Sequence, residues 1–394
     1  MTTAPEQETT SQQGGVSGAE IVLEDVVKQY PGQDVPAVDQ LSLTIPAGEI
    51  VMFVGPSGCG KTTSLKMINR LIEPTSGTIR IDGEDVRDQS PDQLRRHVGY
   101  VIQGGSLFPH MTVEQNIAIV PKLLGWNGNQ VRDRVGELLD LVGLDPQRYR
   151  GRYPRELSGG QQQRVGVARG LAADPPVILM DEPFGAVDPI TRQRLQDELL
   201  SIQRELRKTI VCVTHDIDEA IKLGDRILIL QEGAQVAQYD VPEAILATPA
   251  NDFVADFVGA GSSLKSLSLA RVAEVELLSP TTAQVGDSTA EVKQRAEANG
   301  DRAVIVLDSR NRPVGWPWLR QLKGDTIVEP TEDLVNIDQR ATLNDALDTM
   351  LSSSHGGAVV TGDRDQYLGV IDFRAVTGHV QAMEEQAMEE QAGE

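Results

Sequence analysis

Short apolar runs recur along the first two thirds of the chain, and each leads into a segment with helical spacing. The runs Ile50–Val54, Val177–Met180 and Ile210–Thr214 are apolar or nearly so. Runs of this length without polar alternation are typical of strands that are buried on both faces of a parallel sheet. Their alternation with helical segments therefore predicts an α/β fold, in which helices cover both faces of the sheet.

The same pattern predicts the order of the first elements. Residues 20–30 and 36–46 are predicted to pair as a hairpin. Glu49–Gly55 is predicted to be a buried strand that runs into a glycine-rich loop, and apolar spacing then predicts a helix over Lys61–Leu71. The stretch Pro91–Pro154 is predicted to be mostly helical. Later helices and a strand are predicted at Asp188–Arg207, Asp216–Leu223 and Arg226–Leu230.

The pattern changes near Asn251–Ser263, a segment that ends in small residues and is predicted to be a linker. Two similar units follow, around Ala303–Trp316 and Gly357–Ile371, and each has an apolar strand, a polar turn and a glycine-containing strand. Such similarity predicts a repeat that packs against its copy. Residues 1–19 are polar and predicted to be a disordered tail.

Composition narrows the range of partners. The 394 residues are enough for two or three domains, and no run approaches the ~18 apolar residues that cross a bilayer. The net charge of −22 argues against nucleic acid, because phosphate binding needs clustered lysine and arginine. The two cysteines, Cys59 and Cys212, are too few for a disulfide framework and are expected to be reduced thiols in the cytoplasm.

The predicted strand Glu49–Gly55 leads into Gly-Pro-Ser-Gly-Cys-Gly-Lys-Thr-Thr, the pattern of a phosphate-binding loop. Glycines there let backbone N–H groups point at phosphate oxygens, and the following helix adds its positive N-terminal end. Lys61 is predicted to reach the β- and γ-phosphates, and Thr62 is predicted to ligate Mg²⁺. The predicted nucleotide-binding residues of the loop are Gly55, Pro56, Ser57, Gly58, Cys59, Gly60, Lys61, Thr62 and Thr63.

Two adjacent acids, Asp181 and Glu182, follow the apolar run Val177–Met180. Because α/β sheets bind ligands at the carboxyl ends of their strands, Asp181 is predicted to hold Mg²⁺ directly or through water. Glu182 is predicted to polarise the attacking water. The alternative is that the two acids only cap the next helix, which the phosphate loop upstream disfavours.

Together with Leu157-Ser-Gly-Gly-Gln161, these motifs resemble the nucleotide-binding subunits of ABC transporters. The resemblance implies a P-loop NTPase core with a helical subdomain at about 104–165, an ATPase activity, and ATP with Mg²⁺ as bound groups. It also implies a homodimer, in which the signature of one copy opens a helix aimed at the γ-phosphate of ATP on the other copy. The signature residues implied to contact ATP are Ser158, Gly159, Gly160 and Gln161.

Four single positions match the same family. Tyr30 resembles the aromatic residue that stacks on adenine, and the alternative is a surface tyrosine at the end of a strand. Gln103 resembles the glutamine that senses Mg²⁺ and the attacking water, which gives it a metal and a catalytic role. Asp188 resembles a residue of the loop that contacts the partner subunit near the nucleotide. His215 resembles the switch histidine that contacts the γ-phosphate, which gives it a catalytic role.

The segment Tyr100–Asn116 narrows the resemblance to the ATPases of osmoprotectant importers, which carry glycine betaine, carnitine, choline or proline. This implies permease subunits in the membrane, which are contacted through Gly104–His110, and an extracytoplasmic substrate-binding protein or domain. It also implies a location at the cytoplasmic face of the membrane. The alternatives are an importer ATPase for another solute and a non-transport ABC ATPase.

The C-terminal repeat resembles tandem CBS domains, an α+β regulatory fold. The residues after Gly315 and Gly369 lack the Ser/Thr-x-x-Asp pair of nucleotide-binding CBS units, which argues against AMP or ATP and leaves a cyclic dinucleotide open. A region that only dimerises is the alternative. The predicted domains are a tail at 1–19, an ATPase domain at 20–260, CBS-like units at about 264–324 and 325–380, and an acidic tail at 381–394.

The acidic tail suggests regulation by ionic strength. Its glutamates are predicted to dock on a basic patch, and rising salt would screen this contact, since the Debye length falls from about 10 Å at 0.1 M to about 3 Å at 1 M. The alternative is a solvated tail without a partner. The residues involved are Arg302, Arg310, Arg312 and Arg320 of the patch and Glu384, Glu385, Glu389, Glu390 and Glu394 of the tail.

Overall fold

The structure is a computed structural model that describes residues 18–102, 107–185, 188–259, 265–330, 334–380 and 382. These residues form two compact units, which are described separately. The first unit holds the described residues up to Pro242 together with Ala250–Phe257. The second unit holds Glu243–Pro249 and the described residues from Val258 onward.

Strands and helices alternate through the first unit. The strands are β1 (Ile21–Lys28), β2 (Val38–Ile45), β3 (Ile50–Val54), β4 (Ser76–Ile81), β5 (Glu84–Asp85), β6 (Val98–Ile102), β7 (Val177–Asp181), β8 (Thr209–Val213), β9 (Arg226–Leu230) and β10 (Val236–Asp240). The helices up to residue 258 are α1 (Lys61–Ile68), α2 (Pro91–His97), α3 (Val113–Ile117), α4 (Ile119–Leu123), α5 (Gly128–Leu141), α6 (Pro146–Tyr149), α7 (Gly159–Leu171), α8 (Pro189–Leu206), α9 (Ile217–Leu223), α10 (Pro242–Ala247) and α11 (Asp252–Val258). Short 3₁₀ turns lie at Pro154–Glu156 and Glu232–Ala234.

The central sheet has the strand order β10-β9-β3-β8-β7-β6. The strands from β9 to β6 are parallel, and β10 runs antiparallel to β9. All five residues of β3 and all five of β8 are buried, as in strands covered on both faces. The predicted α/β class is therefore confirmed, and the carboxyl ends of β3, β8 and β7 lie side by side at one edge of the sheet.

A second sheet, of order β2-β1-β4-β5, contains the predicted hairpin. β1 and β2 pair antiparallel, with Ile21 opposite Ile45. The predicted helix after the glycine loop ends earlier than expected, at Ile68, with Asn69 as its C-cap. Strand β6 was not predicted, because the stretch 91–154 reads as mostly helical. β6 has only five residues and follows α2 without a turn, and periodicity cannot separate so short an apolar run from a helix.

The second unit contains two copies of one arrangement, a strand, a helix and two further strands. In each copy the first strand pairs parallel with the second, and the third pairs antiparallel with the second. The first copy is β11 (Thr282–Gln284), α12 (Thr289–Asn299), β12 (Ile305–Leu307) and β13 (Pro313–Gly315), and the second is β14 (Asn336–Asp338), α13 (Leu343–Ser352), β15 (Gly357–Thr361) and β16 (Tyr367–Asp372). Short 3₁₀ turns lie at Val272–Glu274, Leu319–Gln321 and Asp363–Asp365.

Each copy has its own apolar cluster, and a further cluster joins the two copies. Ile305 and Leu307 of β12 are buried in this joining cluster with Val359 of β15 and Val370 of β16. The glycine-containing strands take equivalent registers, because Gly315 pairs with Val306 and Gly369 pairs with Val360. The two similar units that the sequence pattern predicts are therefore present and packed on each other.

Helix length and apolar character bear on whether the described part of the chain could span a membrane. None of the helices there has both the length and the apolar character to cross a membrane. α8, with 18 residues, buries Leu195, Leu199 and Ile202 on one face and carries charged residues elsewhere, as an amphipathic helix on a globular core does.

Candidate nucleotide-binding and catalytic site

The loop between β3 and α1 needs glycine at two positions. Gly55 has a φ of 147° and Gly60 has a φ of 107°, both outside the range that other residues adopt readily. A Cβ on Gly55 would lie 2.3 Å from the carbonyl oxygen of Leu230, and a Cβ on Gly60 would lie 2.5 Å from that of Ala37. Within the described residues no side chain caps the N-terminus of α1. Its first N–H groups are therefore left for another acceptor, as the phosphate-loop prediction requires.

Lys61 folds back into this loop. Its Nζ donates hydrogen bonds to the carbonyl oxygens of Gly55, at 2.7 Å, and Pro56, at 2.9 Å, and lies 3.7 Å from the Sγ of Cys59. The side chain is buried. The ammonium group is thus held on the inside of the loop, where phosphate oxygens would give it charged acceptors in place of neutral carbonyls.

Thr62 joins the loop to the end of β7. Its Oγ1 donates a hydrogen bond of 2.9 Å to Oδ1 of Asp181. A hydroxyl and a carboxylate are oxygen ligands that Mg²⁺ accepts, so this pair fits the predicted metal role. Burial and the charge of Asp181 raise the pKa of the neighbouring Tyr100 to about 12, so this phenol stays neutral. Within the described residues no three His, Cys, Asp or Glu side chains are grouped to hold a metal by themselves.

Glu182 and His215 meet beside this pair. His215 Nδ1 lies 3.3 Å from Oε1 of Glu182. Glu182 has a φ of 45°, a left-handed conformation that costs about 1 kcal/mol for a residue with a side chain. Its N–H donates to the carbonyl oxygen of Val213 at 2.9 Å, which fixes the turn after β7 against β8. The His215 side chain is 63% exposed, so both groups are accessible to a nucleotide in the loop.

A buried network behind His215 was not singled out from the sequence. Thr214 Oγ1 donates a 2.7 Å hydrogen bond to Oε2 of the buried Glu219. Arg192 of α8 lies 3.7 Å from Oε1 of Glu219 and 3.9 Å from Oδ2 of Asp216. Burial raises the pKa of Glu219 above its ordinary value, and hydrogen bonding from Thr214 opposes this shift. The residues on both sides of His215 are thus tied to α8.

The signature segment begins α7. Ser158 is the N-cap, with Oγ accepting from the N–H of Gln161 at 3.3 Å, and Gln161 Oε1 accepts from the N–H of Ser158 at 3.1 Å. The amide of Gln161 also donates to the hydroxyl of Tyr149 at 3.1 Å. Ser158 and Gly159 are exposed, while Gly160 is partly buried. Within the described residues no hydrogen bond or ion pair joins this segment to the phosphate loop.

Of the three other single positions predicted to contact the nucleotide or its metal, two lie within the described residues and one does not. Asp188 caps α8, where Oδ1 accepts from the N–H of Thr191 at 3.0 Å, and this hydrogen bond holds the pKa of Asp188 below its ordinary value. Tyr30 lies just after β1, with Lys28 Nζ 5.1 Å from its ring centre, and it is partly exposed. Gln103 lies outside the described residues. The structure therefore brings Lys61, Thr62, Asp181, Glu182 and His215 together.

Comparisons with known proteins identify the family. The chain matches the ABC transporter family model over residues 38–185, which include the phosphate loop, the signature and β7. It is 49% identical over 307 residues to the osmoprotectant import ATP-binding protein OsmV of Salmonella typhimurium, covering 77% of this chain and 80% of that protein. The chain belongs to the ABC transporter ATP-binding proteins. It is accordingly an ATPase of the ABC type.

Further relatives and solved structures agree with this assignment. The glycine betaine/carnitine/choline transport ATP-binding protein OpuCA of Bacillus subtilis is 46% identical over 356 residues, which cover 89% of this chain and 93% of that protein. A dimeric structure of the ATP-binding cassette MJ0796 in a post-hydrolysis state, bound to ADP and Pi, superposes with a TM-score of 0.51 at 37% identity. It covers 56% of this chain and 98% of the cassette. The P-loop core of this ABC ATPase, and its binding of ATP, follow from these matches.

Proposed function

We propose that this ABC ATPase drives the import of osmoprotectants of the glycine betaine, carnitine, choline or proline class. The observation that carries the proposal is the length of the OpuCA match. Its 356 aligned residues extend well beyond the first unit, so the likeness includes the C-terminal region as well as the ATPase core. An ATPase core alone is shared by importers of many solutes, whereas a shared C-terminal region points to a shared type of importer.

The nucleotide roles follow the geometry of the first unit. Lys61 and the loop amides bind the β- and γ-phosphates of ATP. Glu182 orients and polarises the attacking water, and His215, 3.3 Å from it, holds that carboxylate and contacts the γ-phosphate. Thr62 and Asp181 would hold Mg²⁺, which would neutralise charge at the phosphates. Gln103 keeps the metal and catalytic role that the resemblance implies for it. Tyr30 stacks on adenine.

Two copies complete each site in this proposal. The N-terminus of α7 exposes Ser158 and Gly159, and Ser158 Oγ accepts a bond from within its own helix. Because a hydroxyl that accepts still has a proton to donate, Ser158 remains able to bind a phosphate oxygen of ATP on the other copy. Asp188, at the start of α8, contacts the partner subunit. The solved dimer of MJ0796 is bound to ADP and Pi, which supports a dimer here.

The permease contact is proposed at the segment before α3. Phe108 is exposed, and His110 lies beside it with 6.1 Å between ring centres. Asn116, fully buried, receives the N–H of Phe108 at 2.8 Å and donates to the carbonyl oxygens of Phe108, Met111 and Thr112. One buried amide thus fixes an exposed aromatic loop, as a docking surface for a membrane subunit requires. In this proposal the ATPase chain lies at the cytoplasmic face of the membrane, and an extracytoplasmic substrate-binding protein or domain selects the solute.

The second unit is proposed to be a tandem CBS-like regulatory domain at residues 264–380, which responds to ionic strength or a nucleotide such as a cyclic dinucleotide. Fewer of the four arginines of the proposed basic patch are available for docking the acidic tail than the sequence alone suggests. Arg312 is held by Asp308 through hydrogen bonds of 2.7 and 2.9 Å, so it is less available to another acid. The glutamates of the tail lie outside the described residues. Arg302, Arg310 and Arg320 remain the docking candidates.

A second candidate function is the import of polyamines. The spermidine/putrescine import ATP-binding protein PotA of Nitrosomonas europaea is 42% identical over 287 residues, covering 72% of this chain and 76% of that protein. A polyamine carries several positive charges, whereas the osmoprotectants carry one cationic group each. Competition between the two solute classes in an uptake assay therefore separates the candidates.

The proposal is tested by purifying the chain with its permease from native membranes and measuring uptake in proteoliposomes. Glycine betaine uptake should require ATP inside and should resist competition by excess spermidine. Glu182→Gln should retain ATP binding and lose about 10²–10⁴-fold in turnover, because the base is removed and the phosphate contacts remain. Uptake of spermidine without uptake of betaine, carnitine, choline or proline would reject the solute assignment. A Glu182→Gln variant that turns over normally would reject the catalytic one.

A further inference from the structure

The second unit contains a stack of three aromatic rings. His355 lies between Trp316 and Trp318, with ring centres 4.4 and 4.6 Å away and planes inclined by 11° and 18°. The tryptophans follow β13 of the first copy, and His355 belongs to the loop between α13 and β15 of the second copy. A side chain of one copy is therefore held between two rings of the other.

A cavity of about 350 Å³ opens beside this stack. Trp318 and Asp372 both line it, and they occupy equivalent positions in the two copies, each three residues after the glycine of the last strand. Asp301 lines the same cavity. The repeat thus brings an aromatic ring from one copy and a carboxylate from the other to one wall.

The two carboxylates are held in place by hydrogen bonds to one oxygen each. Oδ2 of Asp301 accepts from the N–H and Oγ1 of Thr281, at 2.8 and 2.6 Å. Oδ1 of Asp372 accepts from the N–H groups of Arg374 and Ala375, at 3.0 and 2.9 Å. Within the described residues the other oxygen of each carboxylate makes no hydrogen bond. Negative charge is thus fixed at the cavity wall, where it attracts a cation and opposes a phosphate.

The tryptophan pair has the spacing of a cation sandwich. A cation is attracted to an aromatic face when it lies within about 6 Å of the ring centre, and quaternary ammonium groups are bound in this way. The position of His355 satisfies that distance for both rings at once. Gly356, next in the chain, has a φ of 67°, which glycine adopts without strain.

The cavity also offers a partner for an anionic group. Arg302 lines it and forms no ion pair within the described residues. A guanidinium binds a carboxylate through two parallel hydrogen bonds. The volume of about 350 Å³ is near the lower end for ligand sites, which suits a small solute.

We infer that this cavity binds a small zwitterion with a quaternary ammonium group. The ammonium group takes the place of His355 between Trp316 and Trp318, near Asp372, and the carboxylate binds Arg302. The inference rests on the proposed function, because the ligand belongs to the class of the transported solute. The C-terminal unit would then sense the imported solute directly.

The test measures binding to the full-length purified chain without permease or binding protein. The chain has three tryptophans, so Trp126→Phe leaves Trp316 and Trp318 as the fluorescent reporters. Glycine betaine should change this fluorescence with saturation, and sodium acetate at the same concentrations should not. Choline, which keeps the cation and lacks the carboxylate, should bind about tenfold more weakly.

Variants measured by calorimetry locate the site. Asp372→Asn keeps a capping oxygen for Arg374 and Ala375, and Arg302→Gln keeps a polar side chain, so both should fold. Asp372→Asn should weaken betaine and choline alike by about tenfold, whereas Arg302→Gln should weaken betaine alone. His355→Ala should bind betaine at least as tightly as the wild type, because the competing ring is gone.

The inference is overturned by the absence of a saturable signal with betaine and choline, by unchanged affinity in Asp372→Asn, or by displacement of betaine by acetate alone. Binding of a cyclic dinucleotide that needs Trp318 and excludes betaine would assign the cavity to a nucleotide instead. Uptake by the permease complex is measured separately. Normal betaine uptake without binding here rejects the inference alone. Binding here without uptake of betaine, carnitine, choline or proline rejects the proposed solute class alone.

Discussion

Replacing Arg192 with leucine should slow ATP hydrolysis although Arg192 is not part of any recognised motif. Arg192 lies on α8, and its guanidinium faces Glu219 and Asp216 of the segment that carries His215. Glu219 in turn binds Thr214, the residue before His215. The variant removes the positive charge that lies beside the buried carboxylate of Glu219. It also removes the contacts that join α8 to the residues on both sides of His215.

The size of the effect can be worked out from the distances. Two unit charges about 4 Å apart attract by about 4 kcal/mol at an effective dielectric constant of about 20. Arg192 is 33% exposed, and its nitrogens lie 3.7 and 3.9 Å from the carboxylate oxygens, so solvent reduces the contribution to about 1 kcal/mol. If this energy is lost from the transition state, kcat falls about fivefold.

The assay is steady-state ATPase activity of the full chain, with ATP affinity measured separately. Lys222→Leu is the matched control, because Lys222 also joins α9 to α8, through a 2.7 Å ion pair with Asp197, without touching Thr214 or Glu219. Arg192→Leu should lower kcat and leave ATP affinity within about twofold, since the phosphate loop is unchanged. Arg192→Lys should recover part of the loss, because it restores the charge.

A pH profile separates positioning from general destabilisation. The charge of Arg192 lowers the pKa of Glu219 in the wild type, so the variant protonates Glu219 at a higher pH. The rate difference between wild type and Arg192→Leu should therefore grow as the pH falls. Equal slowing by Arg192→Leu and Lys222→Leu, or a rate ratio that does not change with pH, would refute the positioning role.

Three further predictions concern the phosphate loop, the buried Glu219 and the acidic tail. Gly60→Ala should lower the free energy of unfolding in urea by about 3 kcal/mol or more, because its Cβ would meet the carbonyl oxygen of Ala37. The control Gly32→Ala, with a φ of 80° and nothing in the described structure within 4 Å of a Cβ, should lower it by only about 1 kcal/mol of strain, and equal losses would contradict this account. Burial raises the pKa of Glu219 in the folded chain, so Glu219 adds stability at low pH that is lost as the pH rises through the pKa of the folded state. Glu219→Gln should therefore reduce the decrease in melting temperature with rising pH, as measured by thermal unfolding. Deleting residues 381–394 should make transport independent of salt, and an unchanged salt profile would remove the tail from the mechanism.

The grouping of the candidate nucleotide-site residues could be predicted because these residues lie at the ends of strands. Asp181 is the last residue of β7 and Glu182 follows it, His215 comes two residues after β8, and the loop lies between β3 and α1. In a parallel sheet these ends are neighbours, so sequence order and strand type are enough to place them together. The length of α1 was less predictable, because helix ends depend on local capping at Asn69 rather than on apolar spacing.

Contacts between helix faces were not predictable in the same way. Arg192 lies inside an amphipathic helix with several other charged residues, and nothing in the spacing of α8 marks it as the one that faces Glu219. The only local signal was the acidic start of α9, where Asp216 is the N-cap and Asp218 and Glu219 fill the first turn. Such a cluster is equally typical of a helix N-terminus without any partner.

Contacts between the two copies of the repeat in the second unit were also not predictable from the sequence. The two copies share strand order and register, yet equivalent positions carry Trp318 in one copy and Asp372 in the other. Compared one by one with a nucleotide-binding pattern, both positions are departures from it. Packing of the copies brings both to the same cavity, where a ring and a carboxylate are complementary to a cation. The chemistry of a duplicated domain therefore depends on pairs of diverged positions, and it emerges only when the copies are considered together.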